Sequence, residues 1–116
     1  MAILIACLGS THDSWGPVLK LASMPDWEHV FFVGSASARD VLEANQRISF
    51  VAVDEKQNFD AMIAQIQKEI SPKVFGEAGV SLYSGSGLLH MAVLSAILKA
   101  GGGVKLVHYT DRLVEL

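Results

Sequence analysis

Val80-Ser81-Leu82-Tyr83-Ser84-Gly85-Ser86-Gly87, followed by a helical run to Ala100, then Gly101-Gly102-Gly103 and Val104 to Tyr109, holds a whole β-α-β unit in one stretch. Val80 to Tyr83 reads as a strand. The Ser-Gly-Ser-Gly turn opens a helix from about Ser86 to Ala100, and the glycine triplet closes it before the strand Val104–Tyr109. Strand, helix and strand in that order give a right-handed crossover between parallel strands.

The same grammar holds towards the N-terminus. Ala2 to Leu8 is an uninterrupted apolar run ended by Gly9, the pattern of a strand buried on both faces. The polar loop from Gly9 to Ser14 leads into a helix, with Ser14 expected as its N-cap and Pro17 in its first turn. Trp15, Val18, Leu19 and Ala22 supply its apolar face, and Met24-Pro25-Asp26 ends it. His29 to Val33 is a second buried strand, ended by Gly34. Ser37-x-x-Asp40 reads as a capping box opening a short helix through Ala44. Ile48 to Val53 is a third strand. Phe59, Met62, Ile63, Ile66 and Ile70 keep helical spacing, so residues 58–70 form an amphipathic helix that Ser71-Pro72 terminates. The expected fold is α/β: a Rossmann-like open parallel sheet of about five strands flanked by helices, one domain over residues 1–116.

Composition narrows the function classes. The chain has 116 residues, 51% hydrophobic and 18% charged, which favours a packed core over disorder. The helix after Gly87 is apolar nearly all round, so it is expected to be buried on more than one side, against the sheet and a second subunit. A homodimer is the simplest assembly. Net charge is −3 and the nine Lys and Arg are dispersed, which argues against duplex nucleic acid as a partner. The lone Cys7 excludes an internal disulfide and reads as a small core residue. No histidine or carboxylate pair has metal-ligand spacing, and no cofactor is expected. The first apolar stretch lacks a basic flank and is too short for a signal peptide, and no run is long enough to span a membrane. The expected setting is the cytoplasm, with no membrane partner.

Open parallel sheets bind ligands outside the carboxyl ends of their strands. Two loops at that edge combine glycine, hydroxyls and free amides, the chemistry of an anion seat: Gly9-Ser10-Thr11-His12, and Ser84-Gly85-Ser86-Gly87 at a helix start. Gly34 and Ser35 are expected to line the same edge. His12 and His90 are the titratable candidates near neutral pH, His90 sharing a helix face with Ser86. Each piece has a bland counterpart: a Ser-rich turn is often only a cap, and a loop histidine is usually solvated. Gly85-x-Gly87 lacks the third glycine of the dinucleotide fingerprint, His90 standing in its place. Asp111 after the next strand keeps a nicotinamide or other nucleotide reading open. A structural subunit docking through the last helix is a third reading.

The segment Val80 to Ala92, its apolar helix and the following Gly-Val-Lys-Leu-Val strand resemble the hallmark region of CARF domains, the CRISPR-associated Rossmann-fold domains of type III antiviral systems. Leu8-Gly9-Ser10-Thr11 is similar to that family's other ligand-contacting loop. The resemblance implies a homodimer holding a cyclic oligoadenylate second messenger, commonly cyclic tetra-adenylate, across its two-fold axis. Gly9, Ser10 and Thr11 would meet ribose and phosphate, and Ser84, Gly85, Ser86 and Gly87 would cradle phosphate. A domain of this type without an effector resembles a ring nuclease or a messenger sponge. Metal-independent cleavage to a 2′,3′-cyclic phosphate would draw on Ser10, His12 and His90. Many members carry a lysine just after the glycine turn. Leu88 and Leu89 stand there instead, which weakens the case for cleavage more than for binding.

Overall fold

In a computed structural model, described over residues 2–42 and 45–116, the first strand, β1 (Ala2–Cys7), lies at the centre of the sheet. Its side chains alternate between two cores, which is why its sequence is apolar without interruption. Ile5 and Cys7 face one core; Leu4, Ala6 and Leu8 face the other. The chain continues through α1 (Gly16–Ala22), β2 (Trp27–Gly34), α2 (Ala36–Asp40), β3 (Ile48–Ala52) and α3 (Phe59–Ile70). It then crosses back through β4 (Glu77–Ser81), α4 (Gly87–Lys99), β5 (Gly103–Tyr109) and β6 (Leu113–Glu115). The strand order is β3-β2-β1-β4-β5-β6, parallel except for β6, which pairs antiparallel with β5. This is a Rossmann-like α/β domain with one strand more than the sequence reading expected.

The two cores are closed by different helices. Met62, Ile63, Ile66 and Ile70 of α3 pack with Leu89, Ala92, Val93, Ala96 and Ile97 of α4 on one face. Val18, Leu21 and Ala22 of α1, with Trp15, Trp27 and Ala38, cover the other. Trp27 is anchored by its indole Nε1, which donates to the Leu21 carbonyl at 2.8 Å. Arg47 reaches back to the same corner. Its guanidinium donates to the carbonyls of Trp27, Ala22 and Met24 at 3.1, 3.0 and 2.6 Å, satisfying the C-terminal end of α1. At the far edge, β6 pairs residues 113–115 with 107–109, and the Leu116 amide donates to the Leu106 carbonyl. Lys105 bridges Glu77 at 3.3 Å and Glu115 at 3.4 Å across three strands.

Several local expectations are corrected. Ser14 does not cap α1; the helix starts at Gly16 after Trp15, with Pro17 in its first turn, because the Ser14 hydroxyl is drawn into a tertiary contact. Ser35, not Ser37, caps α2, accepting from the Ala38 amide at 3.3 Å. That helix ends at Asp40, and Ala44 lies outside the described residues. The fourth strand starts at Glu77, three residues earlier than expected, and Leu82 and Tyr83 have already left it. Among the described residues no helix is long and apolar enough to cross a membrane.

His29 on β2 is 5% exposed and bonds through Nε2 to the Ser49 hydroxyl at 2.8 Å. Burial, then the positive charges of Lys73 and Arg47, hold its imidazole below the ordinary value of 6.5. The unfolded chain therefore takes up a proton at a pH where the folded chain does not. His29's contribution to stability is complete above pH 6.5 and is lost as pH falls through that value towards the lower folded one. Thermal unfolding followed from about pH 8 to about pH 5.5 is expected to show a smaller drop in Tm for His29→Gln than for the unmodified protein. Parallel curves would mean that His29 is not a source of the pH dependence.

Candidate functional site

β1 and β4 are neighbours, yet the loops that follow them depart to opposite faces, one to α1 and the other to α4. This divergence opens a crevice at the carboxyl ends of the strands. The crevice is a cleft of about 400 Å³. Gly9, Ser10, Thr11 and Ser14 line it from one side, Tyr83, Ser84, Gly85 and Ser86 from the other, with Glu55 at its mouth. The two Gly/Ser turns that the sequence singled out thus share one cavity, and Ser10 and Ser86 stand in it together.

A directional chain of hydrogen bonds clasps the two loops. The Gly9 amide donates to Ser84 Oγ at 2.7 Å, and Ser84 Oγ lies 2.6 Å from Ser14 Oγ. Ser14 Oγ donates to the Thr11 carbonyl at 3.2 Å. A carbonyl only accepts, so the Ser14 proton points to Thr11 and the Ser84 proton points to Ser14. The run Gly9 N–H to Ser84 to Ser14 to Thr11 leaves no member idle, and such chains strengthen each link. The loops also touch sterically: a Cβ on Gly9 would stand 3.0 Å from the Gly85 amide nitrogen. Gly85 itself has φ +98°, a left-handed conformation that favours glycine.

The turn is held from beneath. Ser84 is 1% exposed, and its carbonyl accepts from His90 Nε2 at 2.7 Å, which fixes the proton on that nitrogen. Cys7 lies under Gly85; burial, with a smaller push from Glu55, raises its thiol to about 12, so it is an inert packing group. Ser86 caps α4, its Oγ accepting from the Leu89 amide at 3.1 Å while its proton goes to the Glu55 carboxylate. The amides of Gly87 and Leu88, in the first helical turn, have no intrahelical acceptor by the geometry of any helix start.

Other candidates from the sequence fall outside the cleft lining. His12 is exposed and stacks on Trp15, ring centroids 4.2 Å apart; Trp15 in turn donates from Nε1 to the Gly9 carbonyl at 2.9 Å. His12 and His90 therefore buttress the two loops. Gly34 packs against the Leu8 carbonyl, and Ser35 lines a separate depression with Ala52 and Asp54. Asp111, in the β5–β6 turn, is exposed and pairs with Arg112 at 3.8 Å, away from the cleft lining.

Sequence reasoning missed Glu55, Tyr83 and the tertiary role of Ser14. Glu55 sits in the loop after β3, another carboxyl end of a strand, and that position was its only available signal. Tyr83 is 55% exposed and stacks on His108, centroids 4.6 Å apart. It borders both the polar cleft and an apolar cavity of about 230 Å³ formed with Leu82, Leu106 and Leu116. Among the described residues Glu55 is the one charged side chain lining the cleft, so any attraction for an anion comes from backbone dipoles and hydroxyls.

The fold and cleft define a Rossmann-like domain with a polar cleft at its topological switch point. No protein-family model matches the chain, and no curated protein matches it.

Proposed function

We propose that this domain binds a cyclic oligoadenylate, most simply cyclic tetra-adenylate, in a homodimer, acting as a ring nuclease or messenger sponge of type III CRISPR signalling. The observation that carries the reading is the convergence of two sequence-distant Gly/Ser turns on one cleft, joined through Ser84 and backed by the start of α4. Amides and hydroxyls at a helix N-terminus suit phosphate. A ring of phosphates suits two such seats related by a two-fold axis.

The apolar surface beside the cleft supports the dimer. Leu88, Met91 and Leu98 of α4 are 41%, 60% and 62% exposed, and Tyr83, Leu106 and Leu116, which line the apolar cavity together, are exposed as well. These residues are costly to leave in water and carry no charge to oppose a second copy. Burying this face between two copies would bring each cleft, through its Tyr83 wall, next to the interface.

For cleavage, the cleft's contribution is alignment: a ribose 2′-hydroxyl gives its proton to water as its oxygen attacks the adjacent phosphorus, the bond to the 5′-oxygen breaks, that oxygen takes a proton from water to become a 5′-hydroxyl, and a 2′,3′-cyclic phosphate remains. Positioning of this kind supplies a large share of such rates without a dedicated base. Incubation with cyclic tetra-adenylate in EDTA, read by mass spectrometry, tests the reading. Linear products identify a ring nuclease, and tight binding of intact ligand identifies a sponge. Absence of binding rejects both.

A further inference from the structure

The hydroxyl of Ser86 has one proton, and Glu55 holds it. One of its two lone pairs accepts from the Leu89 amide at 3.1 Å. The one proton that the hydroxyl at the start of α4 could offer a phosphate is thus already committed, and the Glu55 carboxylate that holds it lines the same cleft. Like charges at contact distance repel, and no lysine or arginine lines the cleft among the described residues to offset them. A bare phosphate that captured the Ser86 proton would leave the Glu55 carboxylate without its donor, next to a second anion. A ligand that brings its own donor beside its phosphate avoids that loss.

We propose that Glu55 is the residue by which the cleft selects ribonucleotides: it releases the Ser86 hydroxyl to a ligand phosphate and accepts the ribose 2′-hydroxyl in exchange. The inference rests on the phosphate-binding reading of the cleft and adds to it the recognition of the sugar. In a 3′,5′-linked ribonucleotide the 2′-hydroxyl is carried on the carbon next to the phosphate-bearing one. The two ligand groups are thus neighbours, as Ser86 and Glu55 are. The exchange conserves hydrogen bonds: one hydroxyl proton moves from carboxylate to phosphate, and one ligand proton takes its place. Glu55 is exposed, in the loop between β3 and α3, so its side chain is free of core packing that would oppose the small rotation required. Deoxyribose and inorganic phosphate supply no such donor and leave a charged acceptor unmatched.

Titration calorimetry with cyclic tetra-adenylate and its 2′-deoxy analogue, on the unmodified protein and on Glu55→Ala and Glu55→Gln, tests this. A hydrogen bond to a charged acceptor predicts that the unmodified protein prefers the ribose ring by about tenfold to a hundredfold. Glu55→Ala should bring the two affinities to within about threefold, chiefly by tightening the deoxy ring as the repulsion disappears. Glu55→Gln, which keeps an acceptor without the charge, should retain part of the preference and serves if the alanine variant unfolds at lower temperature. Equal affinities in the unmodified protein, an undiminished preference in Glu55→Ala, or loss of both ligands by Glu55→Gln would overturn the role of Glu55 alone. Failure of the unmodified protein to bind either ring overturns the cleft reading, and this inference with it.

Discussion

On the proposed function, Ser84→Ala is expected to weaken binding of cyclic tetra-adenylate by about a hundredfold, and to cost about 1–3 kcal/mol of stability. One oxygen serves both loops: it accepts from Gly9 at 2.7 Å and meets Ser14 at 2.6 Å, in a side chain that is 1% exposed. Water cannot readily replace it there, so the Gly9 amide and the Ser14 hydroxyl lose partners together. The binding loss follows because the loops are then positioned independently, and a displacement of about an ångström is enough to degrade a preorganised site by that factor. Titration calorimetry and urea unfolding measure the two effects. Ser23→Ala is the control: its hydroxyl donates only to the Lys20 carbonyl on the surface, so stability should move by no more than about 0.5 kcal/mol. Affinity unchanged in Ser84→Ala would show that the clasp does not shape the cleft.

The second large effect lies in the sheet. Gly79 on β4 pairs with Leu4 on β1 and Lys105 on β5, and it faces the Trp27 indole. A Cβ there would stand 2.7 Å from Cη2 and 2.8 Å from Cζ3 of that ring. The indole cannot simply withdraw, because its Nε1 is tied to the Leu21 carbonyl. Gly79→Ala is therefore expected to destabilise by about 1–3 kcal/mol, and Gly79→Val by more. Trp27→Phe removes the crowded outer ring. In a double-mutant cycle, Gly79→Ala combined with Trp27→Phe should cost less than the sum of the single changes, by about 1 kcal/mol or more. Additive losses in urea unfolding would show that the contact is not where the strain arises.

The same glycine explains part of what the sequence concealed. Glu77-Ala78-Gly79 has low strand propensity, so β4 was legible only from Val80 onward. What makes those residues a strand is pairing on both sides and a buried indole that needs the space. By contrast, Ala2 to Leu8 and residues 59–70 announced themselves, because burial on two faces imprints an unbroken apolar run and burial of one helical stripe imprints a periodicity. The three-residue β6 carries no such imprint; its pairing with β5 creates it. At the site, both Gly/Ser turns were legible from their backbone chemistry. Glu55 was not, since it meets Ser86 from 31 residues away in a loop whose composition is merely polar. Ser14 misled for a related reason: a hydroxyl before a helix suits a cap equally well, and only the third dimension showed it reaching Ser84.

The hairpin partner at the end of the sheet also bears on how the protein behaves at high concentration. Because β6 and the Leu116 amide occupy the outward groups of residues 106–109, a foreign strand approaching β5 finds that stretch of the ladder already taken. The three-strand ionic bridge through Lys105 adds charge beside it, where an extending β-stack would need a flat apolar margin. Strand addition to β5 is thereby disfavoured at this end of the sheet.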